Sequence, residues 1–275
     1  MTTVAVAPGV GALLREWRDR RRISQLELAL RADSSARHIS FIETGRSRPS
    51  EEMVLRLADH LEVPMRERNA LLVSAGYAPR FTETALDAPA MSTLRTAVER
   101  LLRAYEPYPA LVVDGRYDIV GANDSIAALL GGVAPELLRP PMNAMRITLH
   151  PQGLAPRIRN LREWRGHLLD QMERQLALLR SSSLRELYEE VSAYPVPDPG
   201  RGESWPGSGA ERMAAGPEHI PFALPMVVEH DGRVLSFIST IATFNTPMDI
   251  TVSELAIETL LPADPETAAY LQRAG

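Results

Sequence analysis

Apolar residues in the first eighty positions recur with the helical period, in short segments separated by turn formers. Val10, Leu13, Leu14 and Trp17 fall at i, i+3, i+4 and i+7 and mark one face of a first helix. A basic cluster, Arg18, Arg20, Arg21 and Arg22, follows it. In Ser24-Gln25-Leu26-Glu27-Leu28-Ala29 a serine is followed three residues later by a glutamate, a capping-box pattern that opens a second, short helix ending near Ala32. Asp33-Ser34-Ser35 makes a tight turn and supplies the next cap. A third helix runs from Ala36 to Glu43, closed by Thr44-Gly45, where glycine takes the left-handed cap. Ser50 caps a fourth helix with Val54, Leu57, Ala58 and Leu61 on one face, and a fifth ends at Gly76.

The stretch from Tyr77 to Pro89 is proline-punctuated and weakly periodic, which predicts a domain over 1–80, a linker at 81–91 and a second domain over 92–275. Leu94, Val98, Leu101 and Tyr105 restore the helical period. The period then drops to two: 109–113 and 117–121, joined at Asp114-Gly115, predict a β-hairpin. Asn123 caps a short helix to Leu130. Residues 154–180 predict one long helix, and 183–191 a continuation. The segment 195–217 is dense in proline and glycine and predicts a long loop. Strands follow at 222–229 and 234–244 about an Asp231-Gly232 turn, and a third at 250–261 with a slip near Ser253-Glu254 that suggests a bulge. Asp264-Pro265 opens a final helix.

Composition narrows the chemistry. The chain of 275 residues has no cysteine, which excludes disulfides, thiolate metal sites and cysteine nucleophiles. All 30 basic residues are arginine, so Schiff-base and P-loop lysine chemistry is excluded too. The net charge is −5 but uneven: residues 1–85 hold 13 arginines against 11 acidic residues, and the remainder 17 against 24. Only the N-terminal part is therefore a plausible phosphate-facing region. The 6 histidines are scattered, and no G-x-S-x-G, H-E-x-x-H or glycine-rich phosphate loop is present, so neither a catalytic nor a metal site is expected. No run approaches the ~20 apolar residues of a membrane span. The N-terminus lacks the basic and apolar regions of a signal peptide, and a cytoplasmic location is expected.

Short helices with a tight turn between the second and third resemble the phage-repressor-like helix-turn-helix family, or XRE family. Ser24–Ala29, Ile39, Ile42-Glu43-Thr44-Gly45 and Arg48-Pro49-Ser50 carry the resemblance. It implies a double-stranded DNA operator as partner, with the third helix in the major groove. Ile39 and Ile42 anchor that helix, so Ser35, Ala36, Arg37, Ser40 and Phe41 fall on its outward face, with His38 facing DNA or solvent. Arg37 suits guanine, whose O6 and N7 a guanidinium fork bonds together; Ala36 or Phe41 suits a thymine methyl. In this family the residue matching Gln25 commonly binds phosphate, and Thr44, Arg46 and Arg48 are further backbone-contact candidates. The family pattern also implies a first-helix partner for Glu43, and Arg18 matches it.

Two strands, a helical insert and three strands is the order of a PAS-like domain. The fold class expected is thus an all-α helix-turn-helix domain followed by an α+β PAS-like domain with an antiparallel five-stranded sheet. The whole chain is similar to the MmyB-like transcription regulators, through 35–45, Glu67-Arg68-Asn69, 75–79, Asn143–Arg146, Leu149-His150-Pro151, Asn160-Leu161, Trp164 and Pro262-Ala263-Asp264. That resemblance implies a small hydrophobic ligand such as a fatty acid, with no other cofactor. An apolar tube with a polar stop is then needed. Val112, Leu161, Trp164, Leu168, Met172, Leu224, Met226, Phe237 and Ile241 are candidate lining residues, and Arg146, His150 and Arg157 candidate anchors. Many relatives carry Asp where this chain has His150, which puts a role for that position in doubt. Alternation alone does not say which face of each strand meets the ligand. Two rival readings stay open: a second domain that is only a dimerisation or interaction module with a filled core, and a ligand-modifying enzyme. A homodimer reading half-sites about one helical turn apart is expected from two-fold symmetry.

Overall fold

The computed structural model describes residues 9–179, 181–196 and 223–274. They form two compact units. The first is built from residues up to 84 with 175–179 and 246–253. It holds α1 (Val10–Arg20), α2 (Gln25–Arg31), α3 (Ala36–Glu43), α4 (Glu51–His60) and α5 (Met65–Ser74). Trp17, Leu14, Leu28, Ile39, Ile42, Leu57, Leu61, Leu71 and Leu72 are fully buried at its centre. Three serines cap three helices: Ser24, Ser35 and Ser50 accept hydrogen bonds from the backbone N–H of Glu27, His38 and Met53 at 3.1, 3.1 and 3.2 Å. The capping box at α2 is only half made. The Glu27 carboxylate takes Arg31, one turn on, at 2.5 Å instead of reaching back to the serine.

One feature of this core is invisible to periodicity. A Cβ on Gly11 would lie 2.2 Å from the carbonyl oxygen of Ile42, so α1 crosses the end of α3 at backbone contact, and only glycine fits there. Asp249, buried at 9% exposure, is a second anchor. Its carboxylate accepts from the hydroxyls of Thr82 and Thr84 at 2.8 and 2.7 Å and from the N–H of Thr251 at 2.9 Å. Burial alone would raise its pKa; the threonine hydrogen bonds outweigh that and hold it below the usual aspartate value.

The second unit contains a five-stranded sheet, antiparallel throughout, in the order β2-β1-β5-β4-β3. The strands are β1 (Ala110–Val113), β2 (Ile119–Ala122), β3 (Met226–His230), β4 (Arg233–Thr243) and β5 (Ala256–Pro262). The helices are α6 (Ser92–Ala104), α7 (Asp124–Leu129), α8 (Ala144–Leu149), α9 (Leu161–Leu178, whose last residues belong to the first unit) and α10 (Ser182–Ser192). A terminal helix, Pro265–Ala274, follows the sheet and packs on β4. This is the α+β, PAS-like arrangement that the element order predicts.

Three local expectations are corrected. The slip near Ser253-Glu254 is no bulge: a one-turn helix, Ile250–Ser253, precedes β5, which starts at Ala256. The long helix expected over 154–180 starts only at Leu161. Before it, a 3-10 turn at Ala155–Arg157 leads to Asn160, whose side chain donates to Pro225 O at 2.7 Å and accepts from Val227 N at 3.1 Å. That tie to β3 holds the segment out of helical geometry. The strand expected from 222 starts at Met226. The loop expected at 195–217 lies, from 197 onward, outside the described residues.

Strand pairing sorts the side chains onto two faces. Ala110, Val112 and Ile257 pack with Leu102 and its neighbours on α6. Leu111 pairs with Glu258 and Ser239 with Leu260, so these point to the opposite face.

Candidate DNA-reading helix and ligand cavity

In the helical unit, α3 offers its outward face as a preset group. The Arg37 guanidinium lies 5.2 Å from the centre of the Phe41 ring, and Arg46 lies 5.9 Å from the same ring. Both arginines are exposed, so stacking on one aromatic ring orders two cations without neutralising them. Ser40 and His38 flank them half-buried, and Ser35 is spent as the N-cap. Ala36 packs partly against the core, and Thr44 donates its hydroxyl to Ser40 O at 2.7 Å. Arg48 is committed elsewhere: it donates to Ala75 O at 3.0 Å and stacks 5.1 Å from the Tyr77 ring.

Behind this face sits a buried ion pair. Arg18 Nε and Nη2 donate to the two oxygens of Glu43 at 2.6 and 3.0 Å, and Nη1 donates to Ile23 O at 2.9 Å. Gln25 Nε2 donates to the same carboxylate at 2.8 Å. The hydrogen bond to Glu43 raises the already high arginine pKa. Gln25 thus joins α2 to α3 through Glu43, and its side-chain nitrogen is engaged there.

In the sheet unit, helices α7, α8 and α9 line a small, partly open cavity of about 70 Å³ against the sheet. Leu111, Leu260 and Met226 form its floor, and Ile126, Leu129, Met145, Ile147, Leu154, Trp164 and Leu168 its walls and roof. Of the candidate lining residues, the structure brings together Trp164, Leu168 and Met226. Val112 faces α6 instead, because its neighbour Leu111 takes the cavity side. Leu161, Met172 and Phe237 are buried off the lining, Leu224 is half-buried beside β3, and Ile241 is 51% exposed.

None of the candidate anchors lines the cavity. Arg146 makes a bidentate pair with Glu190, at 2.9 and 2.7 Å, joining α8 to α10. His150 meets the Tyr194 ring edge-on at 5.0 Å and accepts from Gln152 N. Arg157 donates to Leu129 O at 2.6 Å, and burial lowers its pKa.

The cavity has instead one acid, Glu258, which sequence reasoning passed over. It projects from β5 on the same face as Leu260, and Ser239 donates to its Oε1 at 2.6 Å. Burial pushes this carboxyl above the usual glutamate value, and the serine bond offsets only part of that rise. The Tyr117 hydroxyl nearby is pushed up to about 12 by burial and by Glu258. The signal was present: within Ala256–Pro262, Glu258 is the one charged residue, and it shares a face with Leu260. Trp164, 3% exposed, lines the cavity, and its buried indole N–H has no hydrogen-bond partner among the described residues.

Among the described residues no group of His, Asp and Glu is placed to hold a metal, and no helix is long and apolar enough to cross a membrane. The family model of the MmyB-like transcription regulator ligand binding domain matches residues 94–274, and a helix-turn-helix model matches 14–68. No curated protein matches the chain significantly. Among solved structures, that of an RNA-binding light-oxygen-voltage receptor aligns at 12% identity over 97% of this chain. The chain spans 63% of that structure's length, and the TM-score of 0.25 is too low to carry an argument.

Proposed function

The chain belongs to the MmyB-like transcription regulators, DNA-binding proteins with a ligand-binding domain, and from that premise we propose that it senses a small hydrophobic ligand held in the sheet unit and answers by changing its affinity for an operator. The observation that carries this is the cavity: a small, almost wholly apolar space in the matched ligand-binding region of a chain that also has a helix-turn-helix, which an entering ligand would widen. Its walls suit an aliphatic chain of the kind a fatty acid supplies. The protein acts in the cytoplasm as a homodimer, performs no chemistry on the ligand and needs no other cofactor. Ligand binds one arrangement of the dimer better than another, and the spacing of the two α3 helices follows.

Native mass spectrometry of the purified chain, with organic extraction of the same sample, tests this reading. The expected result is a dimer carrying a co-purifying aliphatic mass, or an empty dimer that takes up added aliphatics one per chain. A chain that is empty and takes up none of them would leave the interaction-module reading in its place.

A further inference from the structure

We propose that the cavity selects an uncharged aliphatic ligand bearing a carbonyl or hydroxyl oxygen, and that Glu258 is the residue that selects it. This rests on the reading above that an aliphatic chain enters the cavity.

Among the described residues the lining contains no arginine and no histidine, so none of them balances a carboxylate there. Arg146, His150 and Arg157 are engaged with Glu190, Tyr194 and Leu129 O, and of the cations beside Trp164 and Leu168, Arg165 donates to Ser192 O and His167 stacks on Trp164. The polar side chains of the lining, besides the Trp164 indole, are Thr148 and Glu258. Glu258 is surrounded by protein yet keeps part of its surface accessible, as a side chain facing a cavity does. Its Oε1 accepts from Ser239, and Oε2 has no hydrogen-bond partner among the described residues. Burial favours the protonated carboxyl, which makes Oε2 a donor in need of an acceptor. The Trp164 N–H also has no partner among the described residues, but that atom is closed off from the open space.

An orphan donor on Glu258 in an apolar wall calls for an oxygen that accepts. A hydrocarbon leaves it unsatisfied. A carboxylate supplies acceptors but buries a net negative charge beside an acid, with no cation to offset it. An amine requires Glu258 to ionise, and desolvating that pair opposes the attraction gained. A ketone, ester or alcohol supplies the acceptor and no charge.

The test uses the full chain and displacement of the neutral dye Nile red by a saturated ketone, alcohol, carboxylate and amine of the dodecyl series at about pH 8, where the carboxylate is ionised. The ketone and alcohol should displace the dye at roughly tenfold lower concentration than the carboxylate. Glu258→Leu should weaken the ketone by about tenfold, whereas Glu258→Gln, which still donates, should retain it. Thermal melts show whether each variant is folded; should Glu258→Leu fail to fold, the wild-type series and Glu258→Gln decide. The inference is overturned if the carboxylate or the amine binds as tightly as the ketone. It is also overturned if folded Glu258→Leu binds the ketone as wild type does, or if Glu258→Gln loses it. In those cases the aliphatic reading stands; displacement by no member of the series would overturn both.

Discussion

The two units treat a buried glutamate in opposite ways. Glu43, with its side chain 2% exposed, meets a bidentate arginine and a glutamine amide. Glu258 has one serine on one oxygen and a cavity before it. The first carboxylate spends its bonding capacity inside the protein. The second is driven towards its neutral form and keeps capacity in reserve. Buried polar groups are normally paired, so completeness of pairing separates a structural acid from one that awaits a ligand.

Glu43→Ala should break this contrast at its strongest point. It strips the partner from a mostly buried Arg18 and should cost about 3–5 kcal/mol of stability, measured by chemical denaturation. A loss near zero would mean the pair contributes little and that pairing is no guide to role.

This first half of the comparison was largely open to sequence reasoning, because its determinants are local. Caps at Ser24, Ser35 and Ser50 and the stripes through Trp17 and Leu57 repeat at helical spacing. Gly11 escaped, since its constraint comes from a carbonyl on another helix. The cavity was harder for the same reason. Alternation divides β1 into two faces without saying which meets the cavity, so it offers Val112 as readily as Leu111, which serves. Arg146 looked free to anchor an anion, but its partner Glu190 lies 44 residues on, at a spacing no local rule connects.

Arg37→Ala sharpens the comparison from the DNA side. Arg37 is exposed and, among the described residues, held by stacking on Phe41, so its loss should leave stability near wild type. Operator affinity should fall by about 1–3 kcal/mol, with relaxed preference at one base position, as read by competition among operator variants. A uniform loss over all sequences would make it a phosphate contact instead.

Glu258→Gln gives the smallest and most diagnostic change. A carboxyl whose folded pKa lies above its usual 4.5 favours folding while protonated. That contribution is complete below 4.5 and is lost as pH rises towards the raised folded value. Wild type and variant should therefore agree within about 1 kcal/mol near pH 4, with the variant gaining as pH rises. Parallel stability curves from about pH 4 to pH 8 would show that Glu258 titrates normally.

The most direct measurement is operator binding with and without ligand. A duplex recovered from a random-sequence pool is labelled, and its affinity for the full chain is followed by fluorescence anisotropy, with dodecyl ketone occupancy confirmed in the same sample. The account predicts a shift of about 5- to 150-fold, the usual range of coupling between sites. Equal affinity for the duplex in the empty and occupied chain would contradict it.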